Sequence, residues 1–192
     1  MGSTYLSNPL VFLVQTLFGF YTVLVLLRFL LQTVRADFYN PLSQFIVKFT
    51  SPLLHPLRRI IPGWGGFDWA ALVLAWGLKS LELFLVLLLG GHAAGLVIFL
   101  WALPELVSLV FNLYLFAVLI LVIASWIAPG GYNPGLDLVA RLARPLMVVA
   151  RRILPPISGV DLSPMLVTLA IVMAEMLVMP PLRLWVQSPL FL

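Results

Sequence analysis

Four continuous apolar runs decide what this chain can fold into: about Pro9 to Leu31, Asp68 to Leu89, Gly95 to Ile127 and Asp161 to Met179. Each is near or above the ~20 residues a helix needs to cross the hydrocarbon core of a bilayer. In lipid only helices and closed barrels satisfy every backbone N–H and C=O, and the runs lack the alternation of barrel strands. They are therefore read as transmembrane helices. Pro104 predicts a kink or a late start in the third, and Pro180 and Pro181 predict the end of the fourth, because proline brings no N–H to the helical ladder. Composition agrees. Only 9% of the 192 residues are charged, against ~25% in a soluble domain, too few to cover a water-facing surface. The expected class is an all-α membrane protein.

The same composition narrows the chemistry. With no cysteine, disulfides, thiolate metal sites and cysteine nucleophiles are excluded. His55 and His92 lie far apart, and no nucleophile stands at a recognisable spacing from a base. Neither an enzyme nor a bound cofactor or metal is expected. The start, "MGSTYLSNPL", has no basic n-region, so no cleaved signal peptide is expected.

Basic residues give a direction. Arg35, Lys48, Arg58 and Arg59 lie between the first two runs, and Arg141, Arg144, Arg151 and Arg152 between the last two. The N-terminal tail and the loop "GGHAAG" carry none. The positive-inside rule then predicts that both basic segments are cytoplasmic and both termini outside. It also accounts for the sequence pI of about 9.9 without any nucleic-acid partner.

The two halves repeat one another. "YNPLSQFIVKFTSPLLHPLRRIIPGWGGFD" (39–68) aligns without gaps on "YNPGLDLVARLARPLMVVARRILPPISGVD" (132–161), each position 93 residues from its equivalent. Tyr39, Asn40, Pro41, Lys48, Pro52, Arg58, Arg59, Pro62, Gly66 and Asp68 correspond to Tyr132, Asn133, Pro134, Arg141, Pro145, Arg151, Arg152, Pro155, Gly159 and Asp161. Two units follow, 1–94 and 95–192, each a span, a basic segment and a span. An even number of spans per unit makes the repeats parallel, with a pseudo-twofold axis along the membrane normal.

Within residues 42–61, Phe45, Phe49, Leu53, Leu57 and Ile60 recur at helical spacing, while Lys48, His55 and Arg59 share another face. In the second copy Leu138, Leu142, Leu146 and Val149 stand opposite Arg141, Arg144 and Arg152. This is the pattern of an amphipathic helix lying in the membrane interface, kinked by Pro52, Pro56 and Pro145. The arginine pairs suit lipid phosphates or a partner, each charge contributing about 1 kcal/mol against an anionic leaflet. Gly65-Gly66 and Ser158-Gly159 permit a sharp turn, and Asp68 and Asp161 are placed to cap the next span.

Ionisable residues inside spans are functional candidates by default. Lys79, Glu82, Glu105 and Glu175 fall at similar depth, with Glu82 and Glu175 equivalent across the repeat and roughly 21 Å beyond their aspartates at 1.5 Å per residue. Three acids gathered around one lysine suit either a proton- or cation-binding site or a hydrogen-bonded polar clamp. Arg28, near the basic end of its span, is placed to snorkel.

Taken together, two copies of Asn-Pro, proline, paired arginines, proline, glycine and aspartate, each preceding an apolar span, resemble the YggT family, also called YlmG. The resemblance covers essentially the whole chain; the second copy departs in "PPISG" for "PGWGG" and in Val148-Val149 for His55-Pro56. It implies a small integral protein of the bacterial inner membrane. Relatives are linked to osmotic tolerance, to cell division or envelope organisation and, in plastids, to cytochrome maturation, with no catalytic residues to carry over. Two roles follow as expectations. One is a non-catalytic scaffold or assembly factor bound to anionic phospholipids and membrane-protein partners, a second copy of the chain among them, with Trp64, Trp69 and the arginines as its docking surface. The other is a channel or transporter built on Lys79, Glu82, Glu105 and Glu175.

Overall fold

The computed structural model describes residues 3–93, 95–127, 133–155 and 161–187. They form six helices: α1 (Ser3–Thr33), α2 (Pro41–Ile60), α3 (Trp69–Leu89), α4 (Ile98–Ile127), α5 (Pro134–Ile153) and α6 (Ser163–Val186). Four of these, α1, α3, α4 and α6, are long and apolar enough to cross a membrane. Because the spans bury only part of their surface against one another, large apolar side chains such as Phe12, Phe20, Phe116 and Leu177 remain exposed, as lipid-facing side chains do. The all-α class with four spans and two further helices stands as read from the sequence.

Local chemistry fixes where α2 and α5 begin. Asn40 Oδ1 accepts from the Leu42 N–H at 2.9 Å, and Asn133 Oδ1 accepts from the Gly135 N–H at 2.8 Å. Each asparagine is an N-cap, and the proline after it occupies the first helical position, where a missing N–H costs nothing. The repeated Asn-Pro pair is thus a helix start. Both helices then run unbroken for 20 residues, through Pro52 and Pro56 in α2 and Pro145 in α5.

After α2 the chain turns at Gly65 (φ 68°) and Gly66 (φ 83°), backbone angles that glycine adopts without a Cβ clash. Trp64 and Phe67 bridge across this turn, and the Trp69 indole N–H donates to the Trp64 carbonyl at 3.1 Å. The equivalent Ser158-Gly159 turn, like Tyr132, lies outside the described residues.

The fourth span corrects the sequence reading. Pro180 and Pro181 do not end α6, which continues to Val186. What holds the extra turns is tertiary. Met179 and Val186 are buried, and the Trp101 indole N–H of α4 donates to the Val186 carbonyl at 3.1 Å. One side-chain donor there takes up a carbonyl at the helix end, which has no acceptor-side partner of its own.

Within each repeat the packing is alike: α1 lies on α3 with α2 across their end, and α4 lies on α6 with α5 across theirs. Between repeats α3 packs on α4, α2 on α5, and α1 on α4 and α5. The pairs α2–α5 and α1–α4 are those a twofold axis would relate to themselves. The α3–α4 contact has no mate, since α6 does not reach α1 among the described residues.

Candidate functional site

Both basic helices sit at one end of the bundle. The α2 cap is also the tie between them, because Asn40 Nδ2 donates to the Pro134 carbonyl at 2.7 Å. The helices approach closely here: a Cβ on Gly135 would stand 3.2 Å from Leu42 Cδ1.

Helix α2 has three faces. Ser43, Ile46, Thr50 and Leu54 are buried against the spans. Phe45, Phe49, Leu53 and Ile60 are exposed, with the Phe45 and Phe49 rings 4.4 Å apart; they form the apolar face expected to enter lipid. Lys48, His55 and Arg59 are exposed on the third side. In α5, Leu138 and Leu142 are buried while Val149 is exposed, and Arg144 and Arg152 point outward. Arg141 Nε donates to Asp137 Oδ2 at 2.8 Å, one turn away.

The repeated arginine pair divides its work. Arg58 forms an ion pair with Asp68, whose side chain is almost fully buried. At the equivalent place Arg151 donates twice to Asp161 Oδ2, from Nε at 3.0 Å and from Nη2 at 2.8 Å. The second arginines, Arg59 and Arg152, remain exposed without an ion pair among the described residues. The first arginine therefore fastens the amphipathic helix to the following span, ten residues on, and the second is left to face outward.

Asp68 is the N-cap of α3 as expected, but the N-cap of α6 is Leu162, and Asp161 stands one residue before it. Asp68 Oδ1 accepts from the Ala71 N–H at 3.3 Å, and Asp161 Oδ1 from the Ser163 N–H at 2.9 Å. Burial pushes the Asp161 carboxyl up, but its hydrogen bonds to Ser163 and Arg151 and the Arg151 charge outweigh that, leaving it below the usual 3.8.

Arg28 does not snorkel. It is 5% exposed and donates to the Val47 carbonyl at 3.1 Å, Thr50 Oγ1 at 2.7 Å and Ser51 Oγ at 3.1 Å. Inward acceptors on α2, absent from any reading of α1 alone, outcompete the interface, and the guanidinium bolts α2 to α1. Tyr21 adds a bond from its hydroxyl to the Phe49 carbonyl at 3.0 Å.

Inside the membrane, Lys79 Nζ lies 2.8 Å from Glu82 Oε1 and 4.0 Å from Glu105 Oε2, which links α3 to α4. Glu175 does not join them; it accepts from Ser108 Oγ of α4 at 3.0 Å. So the four expected groups fall into two polar clusters, each involving a residue of α4. Ser108 was missed because a lone serine in an apolar run carries no signal. Two carboxylate oxygens, Glu82 Oε2 and Glu105 Oε1, are buried without a hydrogen-bond partner.

Comparison with known proteins agrees with this repeat. The pattern of the CCB3/YggT family matches the chain twice, over residues 7–89 and 100–182. An uncharacterised protein of Pseudomonas aeruginosa is 47% identical over 176 residues, covering 90% of this chain and 89% of its own. The Escherichia coli K12 protein called YggT, likewise uncharacterised, is 37% identical over 172 residues and covers 88% of each chain. A Vibrio alginolyticus relative is 39% identical over 88% of this chain and 93% of its own. No solved structure matches. With its two matched repeats and these relatives, the chain belongs to the CCB3/YggT family.

Proposed function

We propose that this protein is a non-catalytic organiser in the bacterial inner membrane, with its basic end toward the cytoplasm and both termini outside. It holds α2 and α5 against an anionic leaflet as a docking platform for a membrane-protein partner. The observation that carries this reading is the paired construction of that end. Each amphipathic helix is capped by asparagine, stapled by an arginine–aspartate pair to its span, and tied to its twin through Asn40 and Pro134. A rigid platform presents Arg59 and Arg152 outward at fixed positions, and fixed charges recognise a partner at less entropic cost than mobile ones. Extraction from native membranes in a lipid-retaining polymer, with mass spectrometry of what co-purifies, tests it. A stoichiometric partner that is lost from the Arg59→Gln/Arg152→Gln variant is expected. Recovery of the chain alone, or a partner indifferent to both charges, overturns the docking role.

A second reading, proton or cation binding in an osmotic role, is supported by the two unpartnered carboxylate oxygens on Glu82 and Glu105.

A further inference from the structure

The two repeats, alike in sequence at their basic ends, differ in what lies between their spans. In the second repeat a groove of about 1800 Å³ opens between α4, α5 and α6. That exceeds the ~300–1,000 Å³ of a small-molecule pocket. Along α4 it runs from Ser125 at the basic end to Asn112, ~20 Å at 1.5 Å per residue. One leaflet's share of the hydrocarbon core is ~15 Å, half of ~30 Å. Its walls are apolar side chains of α4 and α6, Leu115, Leu119, Met165 and Leu169 among them, and its mouth carries Arg141, Arg144 and Arg151.

The same place in the first repeat is much smaller. There Arg28, Gln32, Gln44, Val47, Lys48 and Arg58 line a cavity of about 420 Å³. They are the equivalents, 93 positions earlier, of Leu121, Ser125, Asp137, Ala140, Arg141 and Arg151 in the large groove. Two sets of substitutions account for the difference. Ala70, Ala71 and Ala75 let α3 pack against Val25 and Leu26 of α1; Ser163, Pro164 and Thr168 stand in their places on α6. Accordingly Leu26 is 1% exposed and its equivalent Leu119 is 50%. The other change is Arg28, which fills the first site from within and has Leu121 as its equivalent.

We infer that the second repeat holds one anionic diacyl phospholipid, its acyl chains along α4 and α6 and its phosphate at Arg144. An apolar groove one leaflet deep with cationic groups at headgroup level matches that molecule at both ends. Three arginines face two aspartates, Asp137 and Asp161, at the mouth, leaving net positive charge. Arg144 is the one of the three without an ion pair among the described residues. The inference rests on placing the basic end at the anionic leaflet, but it requires no protein partner.

Native mass spectrometry of the purified chain, released from nanodiscs of equal phosphatidylglycerol and phosphatidylcholine, tests it in the absence of partners. Wild type is expected to retain one phosphatidylglycerol per chain. Arg144→Gln, at an exposed unpaired position, should lower that retention at least fivefold, and Arg144→Lys should largely restore it. Leu119→Trp, which fills the groove, should also abolish retention, and Arg35→Gln, at an exposed position of the first repeat, should leave it unchanged. Retention of both lipids equally, no retained lipid, or equal loss from Arg35→Gln and Arg144→Gln overturns the site. The docking platform is judged separately, by the co-purified partner.

Discussion

Lys79 is shared by two carboxylates, Glu82 of α3 and Glu105 of α4, each of which also buries one oxygen without a hydrogen-bond partner among the described residues. Its side chain is 11% exposed and that of Glu82 6%, so removing either leaves its partner in a medium that solvates charge poorly. The two removals are not equal. Lys79→Met strands both Glu82 and Glu105 and is expected to lower stability by about 3–5 kcal/mol, the range for a broken buried pair. Glu82→Gln keeps an acceptor for Lys79 and leaves Glu105 to balance it, so a loss of about 1–2 kcal/mol is expected. Thermal unfolding in nanodiscs measures both. Proton flux into liposomes, measured on the same Glu82→Gln protein, separates the roles: a clamp predicts no change, and a wild-type flux abolished by the substitution establishes conduction. Hydropathy and depth were enough to pick out all four charged residues from the sequence. Their partition was not legible, because periodicity along α3 and α6 does not say which face of α4 each one meets. Glu82 and Glu175 are equivalent in sequence but find Lys79 and Ser108.

At the scale of elements, the junction of α5 and α6 depends on an ion pair and a hydrogen bond from the Ser163 N–H that share Asp161. The pair is half-exposed, with Arg151 at 54% and Asp161 at 30% side-chain exposure, so it contributes in the range of about 0.2–1 kcal/mol measured for such pairs. Its pH dependence follows from the direction of the shift. The folded-state carboxyl titrates below 3.8, so the folded state favours the carboxylate. The contribution is fully present above 3.8 and is lost as pH falls through the lower folded-state value. Asp161→Asn keeps an acceptor for the Ser163 N–H while removing the charge. Between pH 7 and 5 the variant should unfold at a constantly lower temperature than wild type, and the gap should close as pH drops below 3.8. A gap that persists at pH 2 assigns the effect to the hydrogen bond with the Ser163 N–H instead. The sequence displayed both members of this staple, twice, at the same spacing. It could not display the contact, because helical periodicity ends at Ile153 and does not place Asp161 relative to Arg151. Arg28 and the continuation of α6 past Pro181 were hidden for a related reason. In each, partners on another helix, Thr50 and Ser51 for the one and Trp101 for the other, override the local preference.

For the whole molecule, the strongest constraint is parity. Each repeat crosses twice, so α2 and α5 must share one side of the membrane, and the α3–α4 loop must lie on the other with the N-terminus. The Asn40–Pro134 contact already requires the first half of that statement. Which side faces the cytoplasm is a matter of charge, eight basic residues in the α2 and α5 segments and none in the N-terminal tail or the loop between α3 and α4. Because the chain has no cysteine, single substitutions give an unambiguous readout. His92→Cys places a thiol in the exposed loop after α3, and His55→Cys places one on the exposed basic face of α2. In intact cells stripped of their outer membrane, a membrane-impermeant maleimide should label position 92 and spare position 55; in inverted vesicles the preference should reverse. Labelling of both from one side contradicts a two-span repeat, and the opposite pattern places the basic platform outside. The experiment also bears on the groove of the second repeat. Its mouth shares the side of position 55, so a periplasmic basic end would put Arg144 at the wrong leaflet and remove the ground for lipid selection there.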